Sequence, residues 1–345
     1  MNTTPLIFVL YDSVTNSVFE GQIKSLLHKK ARENPYRPVH LVTFERHTPR
    51  VNIESNTIRV TCLKRIPFVG WLSLWYATKQ LTSLLKMFPD YTIIARGPLA
   101  GTIAQNALKQ PACKEFIIQA RGLLAQEYQY MCAQKKSSSL TQFIHRIRIA
   151  QFAQVEKKAY RTRSSMPKTI EAVSPALKDH LISTYNTQTE HITIAGDDIP
   201  QSVTAQQKKE WRTHVRTTLN IPEEWTVYCY NGSAKAWQKP HDVLSFFNHT
   251  RDKHPNSFLL ILTTDITIFK RLIGDSISTA HYALISVSHK DIYRYLCAAD
   301  YGILFRDNHL INWISRPTKV LEYQAAGLDI IHNNTVAYMI KDEEL

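Results

Sequence analysis

The residues with the clearest chemical potential lie in the segment 316–327, RPTKVLEYQAAG. Pro317 suits the first turn of a helix, where its missing N–H needs no partner, and Gly327 suits the left-handed position after the helix end. Lys319 and Glu322 are three residues apart, so a helix places their side chains on one face. The helix N-terminus and the lysine can bind an anion, and the carboxylate can bind hydroxyl groups. The segment therefore predicts a nucleotide-sugar site.

The composition limits the class of protein. A chain of 345 residues can form two domains, and its 44% apolar and 21% charged residues are typical of a folded globular protein. No apolar run reaches the roughly 18 residues of a membrane-spanning helix, and residues 5–11 fit a first strand better than a signal peptide. The five cysteines are scattered without metal-ligand spacing. We therefore expect a cytoplasmic protein without a metal site.

Short apolar segments alternate with helical segments from the first residues onward. The first series predicts strands at 6–11, 39–44, 57–63, 91–95, 115–118 and 169–173, and helices at 18–32, 71–88, 99–108, 137–163 and 175–185. The second series predicts strands at 226–230, 258–263, 282–287, 301–304 and 328–331, and helices at 241–249, 267–272, 290–298 and 317–326. In the long helix 137–163, Phe143, Ile144, Ile147 and Val155 are expected to form the inner stripe.

This alternation predicts an α/β fold with two doubly wound Rossmann-like domains, whose parallel sheets face each other across a cleft. The first domain is expected at 1–195 and the second at 222–345. The polar segment 196–221 is interpreted as the crossover between them. Ligands in such sheets bind beyond the carboxyl ends of the strands, so the helix at 317–326 is well placed for a site.

Several blocks, each weak alone, occur in a shared order and spacing that resembles one known family. They are Asn16-Ser17-Val18 with Gln22, Arg121-Gly122 with Glu127, Val173-Ser174-Pro175, YCYNGSAKAW at 228–237, DIYRYLCAADYG at 291–302, and the segment 316–327. This series of blocks is similar to that of the retaining glycosyltransferases with the GT-B fold. The group that it resembles is the large one, glycosyltransferase family 4-like, of bacterial enzymes that make cell-surface polysaccharide and lipopolysaccharide. The resemblance runs over most of the chain.

The resemblance implies transfer of a hexose from a nucleotide-diphosphate sugar to a saccharide or lipid-linked acceptor, with retention and without a metal or other cofactor. The N-terminal domain would bind the acceptor and the C-terminal domain the donor. The donor residues it implies are Gly232, Ser233, Lys235, Lys239, Ser288, His289, Pro317, Thr318, Lys319 and Glu322, with Lys319 and Lys239 as the catalytic cations. The acceptor residues are Asn16, Ser17, Arg96, Arg121 and Glu127.

The chain departs from the family pattern at three places. Many relatives carry a first glutamate eight positions before the second, but Ile314 stands there and only Glu322 fits. Ser233 and Gln238 occupy the places of the family's basic pair, with Lys235 and Lys239 beside them. Relatives continue for several more helices after the last strand, so the C-terminal domain is expected to be short. These departures keep two alternatives open, a non-catalytic nucleotide-sugar or glycan-binding protein and a nucleotide-sugar epimerase.

A net charge of +13 favours anionic partners. The basic residues of the N-terminal half form one band, without motifs for nucleic-acid binding: Lys135, Lys136, His145, Arg146, Arg148, Lys157, Lys158, Arg161, Arg163 and Lys168. With Trp71, Leu74 and Trp75 nearby in sequence, this band suits an anionic membrane surface, and we expect a peripheral protein at the inner face of the cell membrane. The alternative interpretation buries these three apolar residues in the core.

Purely structural interpretations remain open for several of the candidate site residues. Lys319 and Glu322 would also form an ordinary surface pair on a helix, and Arg121 and Glu127 an internal ion pair. Lys235 and Lys239 would also be ordinary surface cations.

Overall fold

The computed structural model describes residues 3–14, 19–47, 58–67, 70–109, 111–134, 138–161, 168–196, 200, 202–288 and 291–340. The chain divides into two compact units, residues 1–198 and 199–345. Each unit is an α/β domain built on its own parallel sheet.

The N-terminal unit contains seven strands and six α-helices within its described residues. The strands are β1 (Leu6–Leu10), β2 (Val39–Glu45), β3 (Ile58–Lys64), β4 (Tyr91–Arg96), β5 (Cys113–Ala120), β6 (Thr169–Ala172) and β7 (Ile192–Ile194). The helices are α1 (Lys24–Glu33), α2 (Trp71–Leu85), α3 (Gly97–Ala107), α4 (Leu124–Ala133), α5 (Ser139–Tyr160) and α6 (Pro175–Tyr185). All strand pairs are parallel, in the order β3-β2-β1-β4-β5-β6-β7. The chain therefore reverses its winding direction between β1 and β4.

The C-terminal unit has a five-stranded parallel sheet, ordered β10-β9-β8-β11-β12. Its helices are α7 (Ala205–Thr218), α8 (Pro240–Lys253), α9 (Ile266–Ile273), α10 (Ile292–Leu296), α11 (Leu310–Trp313) and α12 (Thr318–Ala325). Its strands are β8 (Thr226–Asn231), β9 (Ser257–Leu262), β10 (Tyr282–Ile285), β11 (Tyr301–Leu304) and β12 (Asp329–His332). Here the reversal lies between β8 and β11. Apolar clusters cover both faces of the sheet, as continuous apolar strands require.

These sheets confirm the predicted α/β fold class. Every predicted strand is present within a few residues of its expected bounds, while α7 and α11 lie in segments for which no helix was predicted. The elements β7 and α4 were not predicted either. Both are short or weakly patterned: β7 has three residues, and among the α4 side chains only Ala125 is buried.

The predicted inner stripe of the long helix is wrong for three of its four residues. Phe143, Ile144 and Ile147 are exposed, and only Val155 is buried. All buried residues of α5 lie in its C-terminal half. With 22 residues against the 11 of α3, its neighbour in the fold, α5 is about twice as long and extends beyond it.

The segment predicted as the crossover contains α7, which packs in the C-terminal unit. Its Arg216 is buried and donates to Asp300 (2.9 Å) and to four backbone carbonyls. Asp300 also accepts from Arg212 (3.0 Å) and from the backbone N–H of Val227 at the start of β8 (2.8 Å). The Asp in the predicted block at 291–302 therefore holds a helix to the sheet.

Within the described residues, no helix has the length and apolar character that a membrane span requires.

Candidate functional site

The winding direction of the C-terminal sheet reverses between β8 and β11, and the candidate site lies at the carboxyl ends of these two strands. Residues of the two strands are paired only at Tyr301–Tyr228 and Gly302–Cys229. Beyond these two residue pairs the strands separate, and the chain segments that follow β8 and β11 run toward opposite faces of the sheet. A ligand in a doubly wound domain binds at such a switch point. Gly232 and Ser233 directly follow β8, so they lie at its edge.

Tyr323 of α12 fills the gap between the two strands. Its buried hydroxyl accepts the Asn231 backbone N–H (2.9 Å) and lies 3.3 Å from the Cys229 carbonyl and 3.4 Å from the Ile303 carbonyl. The ring packs on Gly302, where a Cβ atom would collide with it. These contacts fix α12 against the end of the sheet, which determines where the other α12 side chains lie.

One of those side chains, Lys319, reaches the turn after β8. Its Nζ donates to Gln238 Oε1 (2.8 Å) and lies 4.7 Å from the centre of the Tyr230 ring. A Cβ atom on Gly232 would lie 2.5 Å from this nitrogen and closer still to Gln238 Oε1, so any larger residue there would displace these two side-chain ends. Lys319 is buried, which excludes the alternative of a surface ion pair.

The polar residues of the turn hold this arrangement together. Gln238 Nε2 donates to Ser233 Oγ (3.1 Å), and the Tyr230 hydroxyl donates to the Ser233 carbonyl (2.8 Å). Gln238 therefore presents its amide oxygen to Lys319 while its nitrogen is occupied by the turn.

A second buried cation, Arg306, lies in the same region, two residues after β11. Asn333 fixes its backbone from both sides: the Arg306 N–H donates to Asn333 Oδ1 (3.2 Å), and Asn333 Nδ2 donates to the Arg306 carbonyl (2.7 Å). Burial lowers the pKa of the Arg306 guanidinium. Burial also lowers the pKa of Lys319 well below that of a free lysine, and the positive charge of Arg306 adds to this effect. Two desolvated cations at one place favour a ligand with more than one negative charge.

Glu322 is also buried and faces the end of β8. Asn231 Nδ2 donates to Glu322 Oε2 over 2.6 Å, which orients the carboxylate. The predicted pair on α12 is therefore directed at the predicted glycine turn, with the carboxylate and the ammonium group separated by one helical turn.

The other predicted donor residues do not join this cluster. Lys235 is exposed and lies over the Trp237 ring, with Nζ 5.1 Å from its centre. Lys239 contacts two carboxylates, Asp242 (3.3 Å) and Asp307 (3.1 Å), and hydrogen bonds to them raise its pKa. Its charge is compensated locally, so its catalytic role stays a prediction.

The remaining donor candidates surround the cluster or fall outside the description. Pro317 and Thr318 begin α12. Ser288 follows β10 and donates to Asp291 (2.6 Å). His289 lies outside the described residues. The donor-binding role of Ser288 and His289 stays a prediction.

The N-terminal unit has a polar network at its own switch point. Arg96, the last residue of β4, donates to Gln119 Oε1 (3.4 Å) and to Gln22 Oε1, and Gln119 Nε2 donates to Glu171 Oε2 (2.7 Å). Of the predicted acceptor residues, Arg96 is thus placed at a ligand-binding edge. Asn16 and Ser17 lie outside the described residues.

The Arg-Gly-to-Glu block is compact. Glu127 lies in the first turn of α4, and its carboxylate packs on the Cα atom of Gly122, so that a Cβ there would collide with Oε1. Arg121 is partly buried at the carboxyl end of β5. Acceptor contact and an internal structural role both remain predictions for this pair.

Sequence reasoning did not identify Arg306, Asn231, Tyr230 or Tyr323 as site residues. Tyr323 and Tyr230 look like ordinary core residues in the sequence, because their hydroxyl partners are distant along the chain. The sequence did contain an indication for Arg306, because this cation stands two residues after a buried strand at the switch point. Asn231, the polar last residue of β8, carried the same signal.

The described residues contain no group of three His, Cys, Asp or Glu side chains that could hold a metal ion. Metal independence stays a prediction. The positive charge of the site comes from Lys319 and Arg306.

Comparison with known proteins identifies the fold. No family model matches the sequence, and no curated protein matches it. Among solved structures, HepE from Anabaena in complex with UDP has a TM-score of 0.66 at 12% identity, over 97% of this chain and 82% of HepE. WaaG, a glycosyltransferase involved in lipopolysaccharide biosynthesis, and a sucrose-phosphate synthase from Thermosynechococcus elongatus each have a TM-score of 0.63 at 14% identity, over 97% of this chain and 82% of theirs. The chain therefore has the fold of the GT-B glycosyltransferases, which confirms at the level of fold the resemblance predicted from its motifs.

Proposed function

We propose that this protein is a glycosyltransferase that moves a sugar from a nucleoside-diphosphate sugar to a saccharide or lipid-linked acceptor. The observation that carries the proposal is the convergence of Lys319, Arg306 and Glu322 on the β8 edge, at the switch point of the C-terminal sheet. The structures of HepE with UDP, and with UDP and glucose, support a nucleotide sugar as the partner.

The difficult step in such a transfer is departure of the nucleoside diphosphate from the anomeric carbon. Negative charge develops on the diphosphate oxygens, and fixed cations in a water-poor site stabilise it most effectively. We assign this role to Lys319 and Arg306, which makes a metal ion unnecessary. Gly232 leaves space for the Lys319 ammonium group beside the turn, and the α12 N-terminus adds its partial positive charge.

The carboxylate of Glu322 would accept hydrogen bonds from the ribose hydroxyls, with Asn231 fixing its orientation. Retention of configuration and a hexose donor are further proposals that follow from the sequence resemblance. In the N-terminal unit, Arg96 and the network around Gln119 are proposed to contact the acceptor. We also propose that the protein works as a peripheral protein at the inner face of the cell membrane.

A donor screen by thermal unfolding tests the proposal, because a ligand that binds only the folded state raises the midpoint. At least one nucleotide sugar is expected to raise the midpoint of the parent protein. Lys319→Ala and Glu322→Gln should abolish that rise, whereas Lys253→Ala, an exposed lysine at the end of α8, should retain it. A rise that survives both site variants would contradict the proposed site.

Product analysis with the same donor separates transfer from the two alternatives. Release of nucleoside diphosphate that depends on an acceptor extract supports a transferase. Binding without turnover favours the non-catalytic binding protein, and conversion of the donor to its epimer without an acceptor favours the epimerase.

A further inference from the structure

The N-terminal half of α5 presents an apolar stripe to solvent. The exposed fractions of Leu140, Phe143, Ile144 and Ile147 are 71%, 60%, 48% and 45%. At 3.6 residues per turn, these four side chains share a sector of roughly 100° on the helix surface. A soluble protein rarely leaves such a continuous apolar surface without a partner.

The same side of α5 leads directly to the start of α2. Gln151 and Lys158 follow Ile144 and Ile147 at helical spacing on this side. The Gln151 amide packs against Gly70, where a Cβ atom would lie 2.7 Å from Nε2. The Lys158 ammonium group lies 5.8 Å from the centre of the Trp71 ring. The start of α2 therefore adjoins α5 at Gln151 and Lys158, which begin one helical turn beyond Ile147.

The first turns of α2 are themselves apolar and exposed. The exposed fractions of Trp71, Leu72 and Trp75 are 43%, 57% and 52%, whereas Leu74 is buried. The interpretation that places all of Trp71, Leu74 and Trp75 in the core is therefore right only for Leu74. Together with the α5 stripe, these side chains form what we call the α5–α2 face: Trp71, Leu72, Trp75, Leu140, Phe143, Ile144 and Ile147.

Cations border this face. Arg146 and Lys157 are exposed on one side of the α5 stripe, and Arg148 lies on the other. Lys79 places its ammonium group 4.0 Å from the centre of the Trp75 ring. Lys168, predicted as part of the basic band, is instead buried, where it donates to Gln105 Oε1 (3.0 Å). Lys135, Lys136 and Arg163 lie outside the described residues.

Neither helix offers acidic side chains to oppose these cations. The α2 sequence contains no Asp or Glu. The single acidic residue of α5, Glu156, is buried, accepting from the Tyr185 hydroxyl (3.0 Å) and the Ala125 backbone N–H (3.3 Å). The face is thus apolar at its centre and cationic at its border.

We propose that the α5–α2 face docks onto an anionic lipid bilayer. This inference deepens the peripheral location proposed above by assigning it to named residues. An apolar helical stripe bordered by Lys and Arg binds at a bilayer interface through apolar burial and attraction to anionic lipids. Tryptophan side chains with a nearby cation suit the headgroup level. The single sign of exposed charge on the described residues of α5 and α2 favours a lipid surface over a second copy of this chain, which would bring the same cations to the contact.

Co-sedimentation with phosphatidylcholine vesicles that contain increasing fractions of phosphatidylglycerol tests the inference. The parent protein is expected to bind in proportion to the anionic fraction and to be released by salt. Phe143→Ser with Ile147→Ser should reduce vesicle binding by about tenfold or more, because two interfacial apolar side chains are lost. Arg146→Gln with Lys157→Gln should weaken the dependence on phosphatidylglycerol, because two of the cations that border the face are lost. The matched control is Ile268→Ser, an isoleucine of α9 with 46% exposure, which should bind like the parent.

Unchanged vesicle binding by both double variants would overturn the inference, as would a parent protein that binds no anionic vesicles. A parent that self-associates in sedimentation velocity, with a monomeric Phe143→Ser/Ile147→Ser variant, would assign the face to a second copy instead. The donor-induced rise in the unfolding midpoint should be the same in all these variants. Loss of vesicle binding with an intact donor response therefore separates this inference from the proposed catalytic site.

Discussion

Tyr323 gives the most direct test of how the donor site is held together. Its hydroxyl bridges the separated ends of β8 and β11, and its helix carries Lys319 and Glu322. Tyr323→Phe removes one oxygen atom and keeps the ring that packs on Gly302. The substitution therefore isolates the hydrogen bonds from the apolar packing.

The expected magnitude follows from the partners of the hydroxyl. The Asn231 N–H, which donates to the buried hydroxyl over 2.9 Å, would lose its acceptor at a partly buried position. An unsatisfied buried donor costs about 1–3 kcal/mol. The longer contacts to the Cys229 and Ile303 carbonyls, 3.3 and 3.4 Å, contribute less because they share one proton. We therefore expect a decrease of about 2 kcal/mol in the free energy of unfolding.

Urea unfolding measures this loss, with Tyr228→Phe as the matched control. Tyr228 lies on β8 of the same sheet, and its ring stacks on Tyr301 with 5.4 Å between centres. Its loss of a hydroxyl should change stability by under about 0.5 kcal/mol. Tyr323→Phe should also weaken donor binding, because α12 loses its anchor at the β8 edge. Equal stability and donor binding in the two variants would refute the bridging role of Tyr323.

Three further outcomes are expected. Gly232→Ala should fold normally but weaken donor binding by about tenfold or more, since its methyl group displaces the Lys319 ammonium group; unchanged binding in a thermal-shift titration would contradict this. Binding of a diphosphate should raise the lowered pKa of Lys319, so the protein should take up a proton on binding when the pH lies above the pKa of Lys319 in the free protein. Titration calorimetry in buffers of different ionisation enthalpy measures this uptake, and the affinity should fall as the pH rises. Lys319→Arg should show no uptake. Asp300→Asn should reduce the free energy of unfolding by about 3 kcal/mol in urea, because the buried Arg216 charge loses its partner; a loss below that of an exposed Asp242→Asn control would contradict this.

The fold was predictable because its signals are local. Buried parallel strands are continuous apolar runs, such as residues 258–262. Most of them are followed by a segment in which apolar residues recur at helical spacing. The α12 segment was also readable, since Pro317, Lys319, Glu322 and Gly327 are close in sequence and a helix of known geometry relates them. The helix at the centre of the candidate site was therefore predictable from local sequence alone.

The rest depended on contacts between residues distant in the chain. Whether Phe143 and Ile147 face the core depends on where α3 ends beneath α5, which helical periodicity alone does not encode. The polar segment before β8 forms the packed helix α7 because its buried Arg216 pairs with Asp300, which lies 84 residues later in the chain. Tertiary partners, not composition, decide both cases.

The same dependence on tertiary partners explains how positive charge reaches the turn after β8, where the family that the sequence resembles carries a basic pair. Ser233 and Gln238 stand at those two places, and neither can neutralise a diphosphate. Gln238 is held by Ser233 and presents its oxygen to Lys319, so the missing charge arrives from α12. Arg306 supplies a second charge from the end of β11. Because Tyr323 fixes α12 to the gap between β8 and β11, Lys319 and Arg306 bring positive charge to this turn from two other parts of the chain.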